Sequence, residues 1–173
     1  VHQFDTLVIK DGASANFTNL PTTGATYDIL YYVNKSAGST RQKTLVTGAV
    51  DTVQPGTDEI VNLTKVDIYK FNSITDSAGA DISDRYITDN GQRDDFYGLG
   101  KLTLKGGATA RASRAVTVNY DHFTHAASGD FFARNSYIGA VEYEDIPNYT
   151  YRDGSVVNLR DVLDFRSSVN SSG

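Results

Sequence analysis

The chain has 173 residues, enough for one domain of ordinary size or two small ones. Its 16 basic and 21 acidic residues give a formal net charge of −5, which argues against nucleic acid or an anionic membrane surface as a partner. Without Cys, the sequence excludes disulfides, thiol nucleophiles and zinc–thiolate sites, and its apolar runs are too short for a membrane-spanning helix.

The residue usage favours strands and turns over helices. The sequence holds 18 Asp but 3 Glu, together with 15 Gly, and Asp and Gly suit turns better than helix interiors. Its 11 Tyr and 8 Phe lie mostly among Val, Ile and Thr, the residues typical of pleated strands. We therefore expect an all-β fold, a mostly antiparallel β-sandwich with long loops and one short C-terminal helix.

Hydrophobic runs and alternation locate the elements along the chain. In chain order the predicted strands are 6–10, 27–33, 43–46, 59–63, 66–71, 85–88, 97–104 and 115–120, with further segments at 131–132 and 137–143. In the last long strand, Val116, Val118 and Tyr120 are predicted to face inward. The short helix is predicted to begin after Asn158 as its cap, with Leu159, Val162 and Leu163 at positions i, i+3 and i+4 as its apolar face.

Composition shifts along the chain suggest three parts. Residues 1–65 form an N-terminal β segment, which could be a subsidiary sheet of the same domain, and residues 66–166 form a motif-rich core. Residues 167–173 are polar and read as a tail or linker. Since the chain begins at Val1 and contains no Met, we expect it to be a piece of a longer polypeptide.

Two histidines form the clearest cluster of metal-ligand types. His122 and His125 lie in the sequence Asp-His-Phe-Thr-His, and a divalent metal could gather Asp121, His125 and Asp130. Their spacing differs from the i, i+4 pair of a metalloprotease helix. We favour the simpler interpretation, in which this segment packs on aromatic neighbours and binds no metal.

The segment 89–95 surrounds Gly91 with oxygen ligands that would suit calcium. Its spacing does not fit the EF-hand loop. The favoured alternative is that Asp89 and Asn90 bond to backbone groups of a turn while Arg93 pairs with a carboxylate.

Neighbouring carboxylates occur at Asp94 and Asp95 and among Glu142, Glu144 and Asp145, as a glycosidase would need. Such pairs arise by chance in an acidic chain, and the nucleophile motif G-x-S-x-G does not occur. We therefore expect a protein without catalytic activity, and we keep a polysaccharide hydrolase as a minor alternative.

The second half of the chain carries a longer pattern. Residues 84–97 read DRYITDNGQRDDFY and resemble the block R-Y-x-x-D-N-G-Q-R-D-x-x-Y of a domain of unknown function. That domain recurs in very large virion structural proteins of tailed phages, particularly T-even-like phages of cyanobacteria. Further blocks are similar in the same order, at 118–125, 129–132, 136–137, 143–147 and 159–166. The resemblance covers about 66–166, and Ser167 stands where the pattern usually has Pro.

The resemblance implies a tail, baseplate or fibre component of a virion that assembles with other virion proteins or with tandem domains, with homo-oligomers also open. It implies no catalytic residues and no cofactor. The residues expected to have structural roles are Arg85, Tyr86, Asp89, Asn90, Gly91, Gln92, Arg93, Asp94, Tyr97, Tyr120, Phe123, His125, Asp130, Asp161, Asp164, Phe165 and Arg166.

Charged residues within the first block suggest a network that pins a long connection. Arg85 and Arg93 lie among four carboxylates, and a guanidinium pairs with a carboxylate through two parallel hydrogen bonds. We expect the four partners to be Asp84, Asp89, Asp94 and Asp95.

Tyrosines supply the candidate contact surfaces, since Tyr is enriched at interfaces. Tyr143, Tyr149 and Tyr151 are the predicted interface with a neighbouring protein. The alternative is a receptor- or host-glycan-binding module in which these three residues, with Tyr31 and Tyr32, form stacking platforms.

Overall fold

The computed structural model describes residues 37–54, 60–106 and 115–169, together with the backbone of two strands before them. The chain divides into two compact units, 1–36 and 37–173. In the first unit, strand β1 (Leu7–Ile9) pairs antiparallel with strand β2 (Ala15–Phe17). The predicted strand 6–10 coincides with β1, whereas the predicted strand 27–33 lies outside the described residues.

Strands and single 3-10 turns make up the regular structure described in the second unit. Its strands are β3 (Lys43–Val53), β4 (Ile60–Val66), β5 (Ile68–Thr75), β6 (Tyr86–Asp89), β7 (Phe96–Tyr97), β8 (Leu99–Leu104), β9 (Val116–His125), β10 (Asn148–Thr150), β11 (Val156–Asn158) and β12 (Ser167–Ser168). The 3-10 turns are Ser83–Arg85, Arg134–Tyr137, Tyr143–Asp145 and Leu159–Asp161.

Two three-stranded antiparallel sheets form the main body. One has the order β3-β9-β5 and the other β4-β8-β6. Short pairs supplement them: β10 with β11 antiparallel, and β7 with β12 parallel. The fold is thus all-β, mostly antiparallel and sandwich-like, as predicted.

Apolar side chains from both sheets form the main core. The predicted inward face of β9 is confirmed, because Val116, Val118 and Tyr120 are all buried. They pack in one cluster with Leu63 of β4 and Leu102 of β8. A second apolar cluster lies under the irregular C-terminal segments and consists of Phe123, Tyr137, Ile146, Tyr149 and Leu159.

The single strand predicted at 66–71 is wrong in one important detail. Strand β4 ends at Val66 and β5 begins at Ile68, and each belongs to a different sheet. Between them Asp67 has φ of 51°, a left-handed conformation that Asp adopts more readily than most residues. The chain therefore turns from one sheet into the other at Asp67.

The predicted C-terminal helix is also wrong in length. The segment forms only a 3-10 turn, Leu159–Asp161, and the Asn158 side chain makes no capping hydrogen bond. Only Leu159 of this turn is buried, so the apolar side chains that suggested a helix are not held against the core as one face. The predicted strand segment 137–143 is likewise absent, since a 3-10 turn ends at Tyr137. No helix within the described residues is long and apolar enough to cross a membrane.

The part boundaries predicted from composition differ from the structural ones. The two compact units divide between Ser36 and Ala37, and β3 and β4 pair with strands of the predicted core. At the other end, Ser167 and Ser168 of the predicted tail form β12 against β7. Backbone pairing, which composition does not record, joins these segments to the core.

Candidate functional site

A lysine and an aspartate are buried together where the two sheets meet. Lys43 begins β3 and is 3 % exposed, whereas Asp67 is the turn between the sheets and is 1 % exposed. The Lys43 Nζ lies 2.6 Å from Asp67 Oδ2. A charged pair so far from water is expensive to desolvate, so its persistence depends on the groups that surround it.

Four aromatic rings surround the Lys43 ammonium. The distances from Nζ to the ring centroids are 4.3 Å for Tyr97, 4.5 Å for Phe132, 4.9 Å for Tyr137 and 5.5 Å for Phe123. The faces of such rings carry negative potential and attract a cation. The Nζ also donates a hydrogen bond of 3.0 Å to the Tyr97 hydroxyl.

Both carboxylate oxygens of Asp67 have further partners. His125 Nε2 lies 2.7 Å from Oδ2, the oxygen that Lys43 contacts, and Gln92 donates to Oδ1 over 3.3 Å. On the other side of the imidazole, Ser168 Oγ lies 3.1 Å from Nδ1. The carboxylate is thereby fixed with distinct neighbours on each oxygen.

A second ion pair adjoins the first. Arg166 binds Asp164 in a bidentate manner, through Nε to Oδ1 at 2.9 Å and Nη2 to Oδ2 at 2.8 Å. Arg166 also donates to the Tyr97 hydroxyl at 3.0 Å and to Gln92 Oε1 at 3.3 Å. Tyr97 in turn donates a short hydrogen bond to Asp164. We call these residues, with Lys43, Asp67 and His125, the buried network.

Burial and the attraction between the two charges act in opposite directions on the lysine pair. Removal from water lowers the pKa of Lys43 below its ordinary value of 10.5, which Asp67 opposes only in part. Burial alone would raise the pKa of Asp67, but Lys43 and His125 outweigh it and the pKa lies below the ordinary 3.8. Burial also raises the pKa of Tyr97, with Asp67 adding to the effect, so its hydroxyl remains a proton donor.

The arginine pair remains charged. Burial alone would raise the pKa of Asp164, but hydrogen bonds from Arg166 and Tyr97 outweigh it and lower that pKa. Burial opposes the charge of Arg166, yet bonding to Asp164 raises its pKa. In the described part of the chain, every buried side-chain nitrogen and oxygen has a hydrogen-bond partner. The buried network can therefore hold charged groups away from water, because each of them is hydrogen-bonded.

The loop that carries the longest sequence motif contains the expected turn bonds. Asp89 Oδ1 accepts from the Gly91 N–H at 2.8 Å, and Asn90 Oδ1 accepts from the Gln92 N–H at 3.0 Å. Arg93 binds Asp89 through two hydrogen bonds of 2.9 and 2.8 Å. This loop positions Gln92 against Asp67, so the turn directly supports the buried network.

The predicted arginine–carboxylate network is only partly present. Arg93 pairs with Asp89, whereas Arg85 is exposed and has no carboxylate partner among the described residues. Asp94 accepts instead from the Tyr149 hydroxyl at 2.5 Å, an interaction that helps burial raise the pKa of Tyr149 to about 12. The Asp84 side chain is exposed on the turn that holds Arg85.

The remaining motif residues lie in several places. Tyr86 and Tyr120 are in the main core, and the Tyr120 hydroxyl donates to Asp51 at 2.8 Å. Asp161 is exposed and accepts from the Tyr143 hydroxyl at 3.1 Å. Phe165 is 69 % exposed.

The described residues contain no group of three or more His, Asp or Glu side chains arranged to hold a metal. Asp121 accepts from the Gly48 N–H, His125 binds Asp67, and Asp130 accepts from the Ser39 N–H at 3.0 Å. The three residues considered for a divalent metal thus belong to separate contacts.

A cleft of about 450 Å³ opens beside the arginine pair. Its lining comprises Asp94, Asp95, Tyr149, Tyr151, Val157, Leu159, Val162, Leu163, Asp164, Phe165 and Arg166. Of the tyrosines predicted to form an interface, Tyr149 is buried, while Tyr143 and Tyr151 are 37 % and 38 % exposed. Tyr143 lies beside Arg134 and Arg160, and Tyr31 and Tyr32 lie outside the described residues.

Sequence reasoning missed the centre of the site. Lys43 lies in the predicted strand 43–46 and Asp67 in the predicted strand 66–71, and the sequence pattern predicts no functional role for either residue. The available signal was an acidic residue in the middle of the apolar run Val-Asp-Ile, where a buried partner or a turn must account for it.

The chain was also compared with known proteins, and no family model, curated protein or solved structure matched it.

Proposed function

We propose that this chain is a structural module of a phage virion protein, in the tail, baseplate or fibre, against which neighbouring subunits or tandem domains pack. The observation that carries the proposal is that motif residues far apart in sequence bind one another. Gln92, Tyr97, Asp164 and Arg166 are hydrogen-bonded to one another, and Gln92 and His125 both bond to Asp67. These bonds join a loop, two strands and the C-terminal segment. Such use of polar groups favours shape maintenance over turnover.

The surface proposed for assembly is the exposed apolar segment beside the cleft. Val162, Leu163 and Phe165 are 37 %, 58 % and 69 % exposed, and all three line the cleft. Contiguous exposed apolar side chains are typical of interaction sites. We define Val162, Leu163 and Phe165 as the apolar rim and propose that it contacts another virion protein.

Mass spectrometry of purified virions tests the proposal. Virions of a phage whose genome encodes this chain are digested and their peptides quantified against a known tail protein. We expect peptides from β3 and β9 at a stoichiometric copy number. Their absence from virions, at a detection level that finds the tail protein, would overturn the proposal.

The apolar rim has its own test with a matched control. Leu163→Asp introduces a charge into the rim and should reduce incorporation of the chain into virions. Ile138→Asp makes the same chemical change at a residue that is 72 % exposed and outside the cleft lining, so incorporation should persist. Equal incorporation of both variants would exclude the rim as the contact.

A second candidate function is glycan binding in the cleft, favoured by its combination of tyrosine and carboxylate groups. The Tyr149 and Tyr151 rings are 5.0 Å apart, and Asp94 and Asp95 line the same cleft. A glycan array with the isolated chain tests this function, with Tyr151→Ala as the variant expected to lose binding and Tyr143→Ala as the control outside the cleft. An array without signal would exclude it.

A further inference from the structure

The Lys43–Asp67 contact brings together an amine and a carboxyl group, the two groups that condense to form an amide. The amine nitrogen lies 2.6 Å from a carboxylate oxygen, and both side chains are almost completely buried. Holding two reacting groups in fixed contact replaces an encounter in solution and can lower a barrier greatly. The two side chains are 0 % and 1 % exposed, and aromatic rings flank the amine, so bulk water does not reach the contact.

We propose that Lys43 and Asp67 react with each other to form an intramolecular amide that covalently joins the start of β3 to the turn between β4 and β5. The inference concerns the chemistry of this chain alone and does not depend on the proposed virion function.

The reaction balances without an oxidant or a co-reactant. The Lys43 ammonium first passes a proton across the 2.6 Å contact to Asp67 Oδ2, which gives a neutral amine and a carboxylic acid. The nitrogen lone pair then attacks Cγ, forming the C–N bond, while the carbonyl π electrons move to Oδ1. When these electrons return, the Cγ–Oδ2 bond breaks and Oδ2 leaves with two protons as water. An ammonium and a carboxylate thus become an amide and one water molecule.

Each carboxylate oxygen of Asp67 has a neighbour suited to its part in the reaction. Gln92 donates to Oδ1, where negative charge develops during the attack, and this is the position of an oxyanion-stabilising donor. His125 Nε2 lies 2.7 Å from Oδ2, the oxygen that must leave, so it can carry the second nitrogen proton to it. Ser168 can donate or accept at Nδ1 and therefore tolerates both states of the imidazole.

Burial favours the first proton transfer at both groups, because it disfavours the charged form of each, whereas the attraction between the two charges opposes the transfer and keeps the pKa of Asp67 below its ordinary value. The surroundings lower the pKa of Lys43, which increases the fraction of neutral amine relative to a lysine in water. The Tyr97 hydroxyl, 3.0 Å from Nζ, fixes the direction of the nitrogen. Its own pKa is raised by burial, so it remains neutral beside the amine.

The test is the intact mass of the purified full chain. We expect a mass about 18 Da below that of the sequence, the loss of one water. Trypsin should fail to cleave after Lys43, so that peptide 42–65 is recovered as a branched species joined to peptide 66–70. A wild-type mass equal to the sequence mass, after prolonged incubation at neutral pH, would overturn the proposal.

Variants distinguish the amide from other dehydrations. Lys43→Arg keeps the positive charge but cannot form this amide and should show its full sequence mass, whereas Lys105→Arg, at an exposed position, should still lose about 18 Da. Asp67→Asn should lose about 17 Da, since ammonia leaves in place of water. Loss of water by Lys43→Arg would place the reaction elsewhere and overturn the proposal.

The role of His125 is tested separately by rate. His125→Ala should form the branched peptide at least about tenfold more slowly, because it lacks the proton carrier. An unchanged rate would exclude His125 from the reaction, and the wild-type mass remains the decisive measurement if this variant does not fold. If the amide does not form, the virion proposal still stands, because it is tested by a different measurement, the detection of this chain's peptides in purified virions.

Discussion

Arg93 and Asp89 form a bidentate pair within the motif loop. The side chains are 26 % and 37 % exposed, so solvent screening limits the stabilisation to about 1 kcal/mol. Arg93→Ala should therefore lower Tm by about 2–4 °C in a domain of this size. Arg85→Ala is the control, because Arg85 is exposed and lacks a carboxylate partner in the described region. Equal Tm values for the two variants would contradict a stabilising role for this pair.

Gly91 occupies a position that no other residue fits. Its φ is +83°, and an added Cβ would lie 2.1 Å from the Gly98 carbonyl oxygen. Gly91→Ala should destabilise the protein by at least about 2 kcal/mol through backbone strain and this clash. Gly79 has φ of +82° but open space around it, so Gly79→Ala isolates the strain alone. In denaturant unfolding, the free energy of unfolding of Gly91→Ala should be clearly lower than that of Gly79→Ala. The reverse order would contradict the steric explanation.

At the scale of elements, the sequence was informative wherever local pattern decides the structure. Val116, Val118 and Tyr120 alternate with polar residues, and β9 buries all three as predicted. Asp89 and Asn90 lie in a turn whose side-chain bonds follow from residue type alone. These features depend on neighbours a few residues away, which a single sequence records.

The elements that could not be predicted depend on distant partners. Lys43 begins a strand, where a lysine normally faces water, and its burial depends on Asp67 and on rings at 97, 123, 132 and 137. The C-terminal apolar spacing suggested a helix, yet Arg166 and Asp164 hold this segment extended against the buried network. Tertiary contacts override local propensity at both places.

Asp51 connects an element of one sheet to an element of the other. From β3 it accepts hydrogen bonds from the Thr64 N–H at 2.7 Å and hydroxyl at 2.8 Å in β4, and from the Tyr120 hydroxyl. Asp51→Ala removes these hydrogen bonds and leaves the buried Tyr120 hydroxyl without its acceptor, so it should reduce the free energy of unfolding by about 2–3 kcal/mol. Thr52→Ala, at the exposed next position of the same strand, should have little effect in the same denaturant titration. Comparable losses for both would contradict the role of Asp51 as a link between sheets.

At the scale of the molecule, the buried network lies where the two apolar clusters meet. Phe123 and Tyr137 belong to the C-terminal cluster and also surround Lys43, while the adjoining Ile68 belongs to the main core. The network therefore lies between two packed regions that share strand β9, since Tyr120 belongs to one cluster and Phe123 to the other. Neutralising its charged groups should therefore lower the stability of the whole molecule and not only the local stability of one loop.

Acid should therefore unfold the protein cooperatively. The pKa values of Asp89 and Asp164 lie below the ordinary 3.8, because hydrogen bonds from arginine outweigh the opposing effect of burial. A carboxyl with a lowered pKa in the folded state stabilises it at pH above the unfolded value, and this stabilisation is lost as pH falls through the folded value. We expect Tm to fall below about pH 5 and more steeply below the ordinary carboxyl pKa.

The same titration separates the two states of the Lys43–Asp67 pair. As an ion pair, Asp67 has a pKa below 3.8 and adds to the acid sensitivity; as an amide it no longer titrates. Calorimetry from pH 7 to 3 should therefore show a shallower fall of Tm for wild type than for Lys43→Arg, which keeps the charges but cannot form the amide. Parallel profiles would contradict the covalent link, and a wild-type Tm independent of pH would contradict the stabilising role of the carboxylates.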